Sequence, residues 1–158
     1  MPKKETKKRR KARIQTPQDE NLPLSKRGLG QFYNHVCNRE VGAARRVLSN
    51  VPKEGGRLAW QEGYLAAMGG MISSLGEPHS ILNRLITNEV NQEYSRRLLA
   101  QSKSRAQSQV SDPYDRGYFS AWVDLLLRID EQSRRRADAS QKRTKVPTRS
   151  LEEWFAKE

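Results

Sequence analysis

The side chains that most often carry catalysis are scarce in this 158-residue chain, which has one cysteine, Cys37, and two histidines. His35 lies two residues before Cys37, so the two side chains point to different faces of a helix. His79 follows a proline, which suits a turn or a helix cap. No metal-binding, nucleotide-binding or nucleophile motif occurs in the sequence. We therefore expect structural roles for these three residues, and a protein that is no enzyme and holds no metal or cofactor.

Carboxylates offer a weaker alternative. Glu62, Asp115 and Asp124 are candidates for holding the metal ion of a nuclease, but they are spread along the chain without a recognisable motif. The sequence therefore favours a non-enzymatic role.

Positive charge is the clearest chemical signal, with a formal net charge of +12. Residues 1–14 hold eight basic residues against one acidic, and residues 131–149 hold seven against two. Both segments are poor in apolar residues, so we expect flexible arms that contact nucleic-acid phosphates and release counterions. The candidate contacts are Lys3, Lys4, Lys7, Lys8, Arg9, Arg10, Lys11, Arg13, Arg134, Arg135, Arg136, Lys142, Arg143 and Lys145.

Apolar residues between the two arms recur at steps of three and four, as the buried stripe of a helix requires. Four such stripes begin near Leu29, Leu65, Leu82 and Tyr118. They predict an all-α fold, a small bundle of about four helices over residues 25–135. Gly63, Ala67 and Gly70 form a strip of small residues, a choice that costs helix propensity unless a neighbouring backbone lies close.

The second and fourth predicted helices resemble each other. A shift of 54 residues places "WQEGYLAAMGGMISSL" over "YDRGYFSAWVDLLLRI" and pairs Gly63 with Gly117. Upstream, a shift of 51 residues places "ARRVL" at 44–48 over "SRRLL" at 95–99. The bundle is therefore either two related helical hairpins or a set of amphipathic helices that are alike only in pattern.

Arginines on the helical segments allow two interpretations. They form either a basic surface or a solvated face with local ion pairs to Glu40 or Glu93, and the near-neutral charge of residues 15–130 favours the second. These residues are Arg45, Arg46, Arg96, Arg97 and Arg105.

The end of the sequence, "RSLEEWFAKE", places two aromatic residues in a polar tail. In one helical turn, Leu151, Trp154 and Phe155 share a side while Glu152 and Glu153 face water. We expect an apolar plug for a pocket on another protein. The alternative is a short amphipathic helix that folds back onto the bundle.

The segment "TRSLEEWF" closely resembles the PCNA-interacting peptide, or PIP box, and is similar to the tails of archaeal sliding-clamp clients. The resemblance implies that Leu151, Trp154 and Phe155 enter a hydrophobic pocket of the PCNA sliding clamp. Thr148 stands where the pattern has a glutamine that enters a small polar pocket. The resemblance covers eight residues and implies nothing about the helical domain.

Together these features predict a disordered basic arm (1–24), a helical domain (25–135), a basic flexible linker (136–147) and a clamp-binding peptide (148–158). We expect an intracellular accessory protein of DNA replication or repair, in the cytoplasm or nucleoid of an archaeon or the nucleus of a eukaryote. It would bind PCNA and DNA, and its helical domain a polymerase or nuclease. No apolar run is long enough to cross a membrane. The alternative is an RNA-binding or ribosome-associated protein.

Overall fold

The part of the chain that the structure describes folds into six helices and contains no strand. The computed structural model describes residues 22–52 and 56–144, the last three as backbone only. The helices are α1 (Lys26–Cys37), α2 (Val41–Ser49), α3 (Ala59–Leu75), α4 (Ile81–Ile86), α5 (Gln92–Gln107) and α6 (Pro113–Thr144). The all-α prediction is confirmed, whereas the count of about four helices is too low.

The count differs because two helices predicted as continuous are each divided in two. Arg39 has φ 62° and ends α1, and Asn88 has φ 60° and ends α4. At the first break, the Glu40 amide donates to the His35 carbonyl at 2.8 Å. At the second, the Glu89 amide donates to the Arg84 carbonyl at 2.9 Å. Both breaks are Schellman motifs, in which a left-handed residue turns the chain and satisfies the last helical carbonyls.

The most extensive helix–helix contact of the bundle joins α3 to α6, and two glycines allow the two backbones to approach closely. A Cβ atom on Gly63 would lie 1.9 Å from the carbonyl oxygen of Tyr114, and one on Gly117 would lie 1.9 Å from that of Trp60. Both contacts obey the 54-residue shift, so the helices meet through equivalent positions. The predicted close approach is confirmed at Gly63, whereas Gly70 has open space around its Cα.

Three helices are joined by a chain of hydrogen bonds that is buried at its two tyrosines and reaches the surface at Asp124. The Tyr64 hydroxyl of α3 donates to a carboxylate oxygen of Asp124 on α6 at 2.6 Å. Because the single hydroxyl proton of Tyr64 is donated to Asp124, the Tyr33 hydroxyl of α1 is the donor in its own hydrogen bond with the Tyr64 oxygen, also at 2.6 Å. Burial raises the pKa of both tyrosines, and the negative charge of Asp124 adds to the effect, so both stay protonated.

The edges of the domain differ from the sequence prediction at both ends. Leu22 and Leu24, assigned to the disordered arm of residues 1–24, pack against the core. At the other end, α6 continues through Thr144 and so includes residues 136–144 of the predicted flexible linker. None of the described helices has the length and apolar content that a bilayer crossing needs.

Candidate functional site

Most of the predicted binding residues lie outside the part of the chain that the structure describes. This holds for the peptide residues Thr148, Leu151, Trp154 and Phe155, and for Lys145. It also holds for the basic residues of the N-terminal arm, which are Lys3, Lys4, Lys7, Lys8, Arg9, Arg10, Lys11 and Arg13. The structure describes the segment that leads to the peptide, so the candidate site is built from the second half of α6.

Residues 134–144 form the basic helix end, which is the last part of α6. Side chains 134–141 are all exposed. Two ion pairs at i,i+4 spacing stabilise its first turn: Arg134 contacts Asp130 at 2.8 Å, and Arg135 contacts Glu131 at 2.5 Å. An acidic residue one turn before a basic one is the favourable order along a helix, and basic residues near the C-terminus also suit the helix dipole. These local interactions keep a segment with few apolar residues helical.

The same acidic residue, Glu131, is shared with the bundle. Arg128 donates to Glu131 at 3.0 Å and to the Asn34 side chain of α1 at 2.7 Å. The hydrogen bond from Arg128 and the charge of Arg135 lower the pKa of Glu131. Glu131 therefore connects the exposed basic helix end to the packed part of α6.

Helical geometry places four basic positions of the basic helix end, 135, 136, 142 and 143, on one side, whereas Arg134 lies toward the α5–α6 interface. Positions 142 and 143 follow Arg135 and Arg136 by seven residues, which is two turns and roughly 10 Å along the axis. A helix turns by about 100° per residue. Positions 135, 136, 142 and 143 therefore lie roughly 140° around the helix axis from the positions that face α5. The arrangement gives two rows of basic positions on a single helix, a spacing on which phosphate contacts can form.

The opposite side of α6 borders an open groove next to α4 and α5. This α5–α6 groove has a volume of about 760 Å³. Its lining includes four apolar residues that we call its floor, Leu85, Leu99, Leu126 and Ile129, and also uncharged polar residues such as Asn88 and Ser133. Three charged residues, Arg96, Asp130 and Arg134, lie at its rim. The groove ends near Ala137, so residues 138–144 extend beyond it.

The arginines of the helical segments differ in their surroundings. Arg97 contacts Glu93 at 2.5 Å within α5, and the guanidinium of Arg105 lies 5.0 Å from the centre of the Phe119 ring. Arg45 and Arg46 are exposed on α2. Arg96 differs from them because it lines the α5–α6 groove. The interpretation as a solvated face with local partners therefore suits Arg97 and Arg105.

The two residues best suited to catalysis that α1 contains, His35 and Cys37, lie in surroundings that suit a structural role. A nitrogen of His35 lies 2.5 Å from a carboxylate oxygen of Glu40, beside the first helix break. Cys37 is buried, and burial raises the pKa of its thiol to about 11. Because the thiolate is the reactive form, this cysteine is a poor nucleophile at neutral pH.

The carboxylates of the nuclease alternative are not gathered into a metal site. No group of three or more His, Cys, Asp or Glu residues within 22–52 and 56–144 could hold a metal ion. Asp124 instead accepts the hydrogen bond from Tyr64. Glu62, Asp115 and Asp124 therefore do not form a candidate active site.

Comparison with known proteins gives no relative from which a role could be transferred. No family model matches the chain, and neither a curated protein nor a solved structure does. The functional assignment therefore depends on the chain's own residues.

Proposed function

We propose that this protein is a non-enzymatic accessory factor of DNA replication or repair that binds the PCNA sliding clamp through its C-terminal peptide. One observation carries the proposal: Leu151, Trp154 and Phe155 have the spacing of a PIP box and follow a strongly basic segment. Burying one Leu and two aromatic side chains is worth roughly 1.5 to 3 kcal/mol each, less the cost of ordering the segment.

The basic helix end supports a second contact, with DNA. Only three residues, 145–147, separate Thr144 from Thr148, so Arg135 and Arg136 remain within a few nanometres of the anchoring peptide. A sliding clamp encircles duplex DNA, which brings phosphates close to any cation tethered beside its binding pocket. Two weak contacts on one chain then act together through their effective concentration. The basic arm of residues 1–14 adds a further sequence-independent contact.

The helical domain provides a rigid base for α6 and a surface for a third protein. A DNA polymerase or nuclease is the class of partner that clamp tethering would bring into reach. The exposed apolar side chains Leu58, Tyr94 and Leu127 are the first positions to test for such a contact.

Calorimetry with the full chain and the sliding clamp of its host tests the proposal. We expect saturable binding that the double substitution Trp154→Ala and Phe155→Ala abolishes. Glu153→Ala is the matched control and should retain binding, because in the helical turn expected for the bound peptide this position would face away from the three anchors. Absence of heat change at several temperatures, together with comigration of the intact protein with ribosomes, would favour the RNA alternative instead.

The DNA contact is tested separately through its salt dependence. Deleting residues 1–14 should weaken duplex binding and flatten the dependence of affinity on salt, because fewer counterions are released. An unchanged slope would remove the N-terminal arm from the proposal without affecting the clamp contact.

A further inference from the structure

We propose that the α5–α6 groove is a resting site for the chain's own C-terminal peptide, residues 151–155, from which the clamp releases it. The role of the sliding clamp as competitor for the peptide rests on the proposed function, whereas docking of the peptide in the groove does not. Three properties of the described residues lead to this inference: the apolar floor of the groove, the charge at its rim, and its distance from the end of α6.

The floor of the groove has an apolar surface that lacks a covering element in the described part of the chain. Leu85 and Leu126 are buried beneath it, whereas Leu99 and Ile129 are only half-buried. A volume of about 760 Å³ lies within the range of roughly 300–1,000 Å³ that is typical of ligand pockets. The groove can therefore take several large side chains, such as one Leu and two aromatic rings.

The rim of the groove complements the charge of the peptide. Arg96 is exposed at one edge, and Arg134 with its partner Asp130 lies at the other. Residues 150–158 contain three acidic residues against one basic residue. When Leu151, Trp154 and Phe155 face the floor, Glu152 and Glu153 face outward, where Arg96 can meet them. Attraction at such a rim favours this peptide over the basic segments of the same chain.

The peptide can reach the groove without unwinding α6. Ala137 lies seven residues before Thr144, about 10 Å along the helix, and Ile129 lies fifteen residues before it, about 22 Å. Seven residues lead from Thr144 to Leu151, and a chain of this length spans up to about 25 Å. Leu151 can therefore return to the level of Ala137 with chain length to spare, whereas the level of Ile129 requires an almost fully extended segment.

A peptide on the same chain has an advantage over the same peptide on a second copy. A short tether gives an effective concentration in the millimolar range, well above the concentration of free protein in most experiments. Even weak docking then covers the aromatic residues when the clamp is absent. Because one peptide cannot occupy both sites, docking lowers the apparent affinity for the clamp by the fraction of peptide that is free.

Indole N–H signals in nitrogen-edited NMR spectra of the full chain test the docking. The chain has three tryptophans, and comparison with Trp154→Phe assigns the signal of Trp154. We expect this signal to differ from its position in the isolated peptide 141–158. Arg96→Glu and, independently, Leu99→Glu should move it back, because each places a carboxylate where the peptide would lie. Arg97→Glu is the matched control, since Arg97 is the exposed neighbour that pairs with Glu93 and does not line the groove.

Three outcomes would overturn the proposal. The Trp154 signal of the full chain coincides with that of the peptide, it responds to neither groove variant, or its shift depends on protein concentration. The last result would assign the groove to the peptide of a second copy.

Calorimetry with the clamp separates this proposal from the proposed function. We expect the full chain to bind the clamp at least about threefold more weakly than peptide 141–158. Arg96→Glu, but not Arg97→Glu, should abolish this difference in affinity. If neither the peptide nor the chain binds the clamp, the proposed function fails while the NMR result still decides the docking. Equal affinities of chain and peptide would contradict competition by the groove.

Discussion

Gly117, Ala121 and Leu125, in the first half of α6, are buried against the rest of the bundle, whereas side chains 134–141 of the same helix are all exposed. The first half is in close backbone contact with α3, and its Asp124 accepts the hydrogen bond from Tyr64. The second half has ion pairs one turn apart. A single helix thus joins a tightly packed segment to one held by local interactions.

The difference has consequences for both stability and binding. Close packing against α3 leaves no room for extra atoms, so small changes there are expensive. Exposed ion pairs at i,i+4 spacing contribute only about 0.3–0.5 kcal/mol each, so the basic helix end is marginal by itself. A marginal segment can change conformation when a partner binds without affecting the core. Substitutions in the two halves should therefore have effects of very different size.

The largest expected effect is that of Gly117→Ala. The new methyl group would lie 1.9 Å from the carbonyl oxygen of Trp60, so α3 and α6 must separate. We expect the free energy of unfolding to fall by about 2 to 3 kcal/mol in urea titrations, although alanine gains about 1 kcal/mol of helix propensity. Gly63→Ala should have a similar effect, because its contact with Tyr114 is the equivalent one.

Gly70→Ala is the matched control for both substitutions. A Cβ atom on Gly70 meets nothing within 4 Å, so only the gain in propensity remains. The variant should be more stable than the natural chain by about 0.5 to 1 kcal/mol. Equal destabilisation by all three substitutions would show that the close approach of α3 and α6 does not limit stability.

Sequence pattern predicts the packed half of α6 well because the signal is local. Apolar spacing identifies the helix, and the small residue Gly63 indicates that some neighbouring backbone lies close to α3, without identifying that neighbour as α6. The breaks at Arg39 and Asn88 escape prediction for a specific reason. Val41 and Ala44 continue the stripe of Tyr33 and Cys37 at steps of three and four, so the pattern passes through the break unchanged.

For the exposed half of α6, amino-acid composition predicts helicity less well than the spacing of acidic and basic residues does. The low apolar content of residues 131–149 predicts a flexible segment, yet α6 continues through Thr144. Asp130 and Glu131, each four residues before an arginine, are the local signal for this extension. The α5–α6 groove has no such signal, because it depends on how α4 and α5 lie beside α6.

The next largest effect is expected for Tyr64→Phe. Loss of the hydroxyl removes the donor that lies 2.6 Å from the Asp124 carboxylate, and it leaves the Tyr33 hydroxyl with the longer contact to the Ala121 carbonyl, at 3.2 Å. We expect a loss of about 1 to 3 kcal/mol in the free energy of unfolding, measured by urea titration. Tyr94→Phe is the control, since Tyr94 is exposed on α5, and its change should stay within about 0.5 kcal/mol. A loss at Tyr94 as large as that at Tyr64 would contradict a special role for the chain of hydrogen bonds.

A smaller effect on stability, with a clear effect on structure, is expected for Ala139→Pro. Proline removes a backbone donor and clashes with the preceding turn, a cost of about 3 kcal/mol in a helix interior. Local interactions cannot offset this cost in the basic helix end, so its last two turns should lose helicity. Circular dichroism should show less helix, while the urea midpoint stays close to that of the natural chain.

Ala139→Ser is the control for the proline substitution, since it changes the exposed position and leaves the backbone donor in place. It should preserve the ellipticity. A large fall in the urea midpoint of Ala139→Pro would mean that the two halves of α6 unfold together, and that the exposed half is not stabilised independently of the packed half.

The smallest expected effect is a pH response of the basic helix end through Glu131. Its pKa is lowered in the folded chain by the hydrogen bond from Arg128 and by the charge of Arg135, so the charged form stabilises the helix. This stabilisation is present above the ordinary glutamate pKa of about 4.3 and is lost as the pH falls through the lowered value. Carbon chemical shifts of residues 135–141 should therefore move toward coil values in acid.

Glu131→Gln separates this response from any contribution of the neighbouring carboxylates, because Asp130 and Asp138 are present in both proteins. The variant should show weaker helical shifts at neutral pH and a smaller change on acidification. The core signals of Tyr64 and Leu125 should not change between the two proteins at neutral pH, because the packed half of α6 does not depend on this charge. If those signals moved as much as those of residues 135–141, Glu131 would be supporting the bundle as a whole and not only its exposed end.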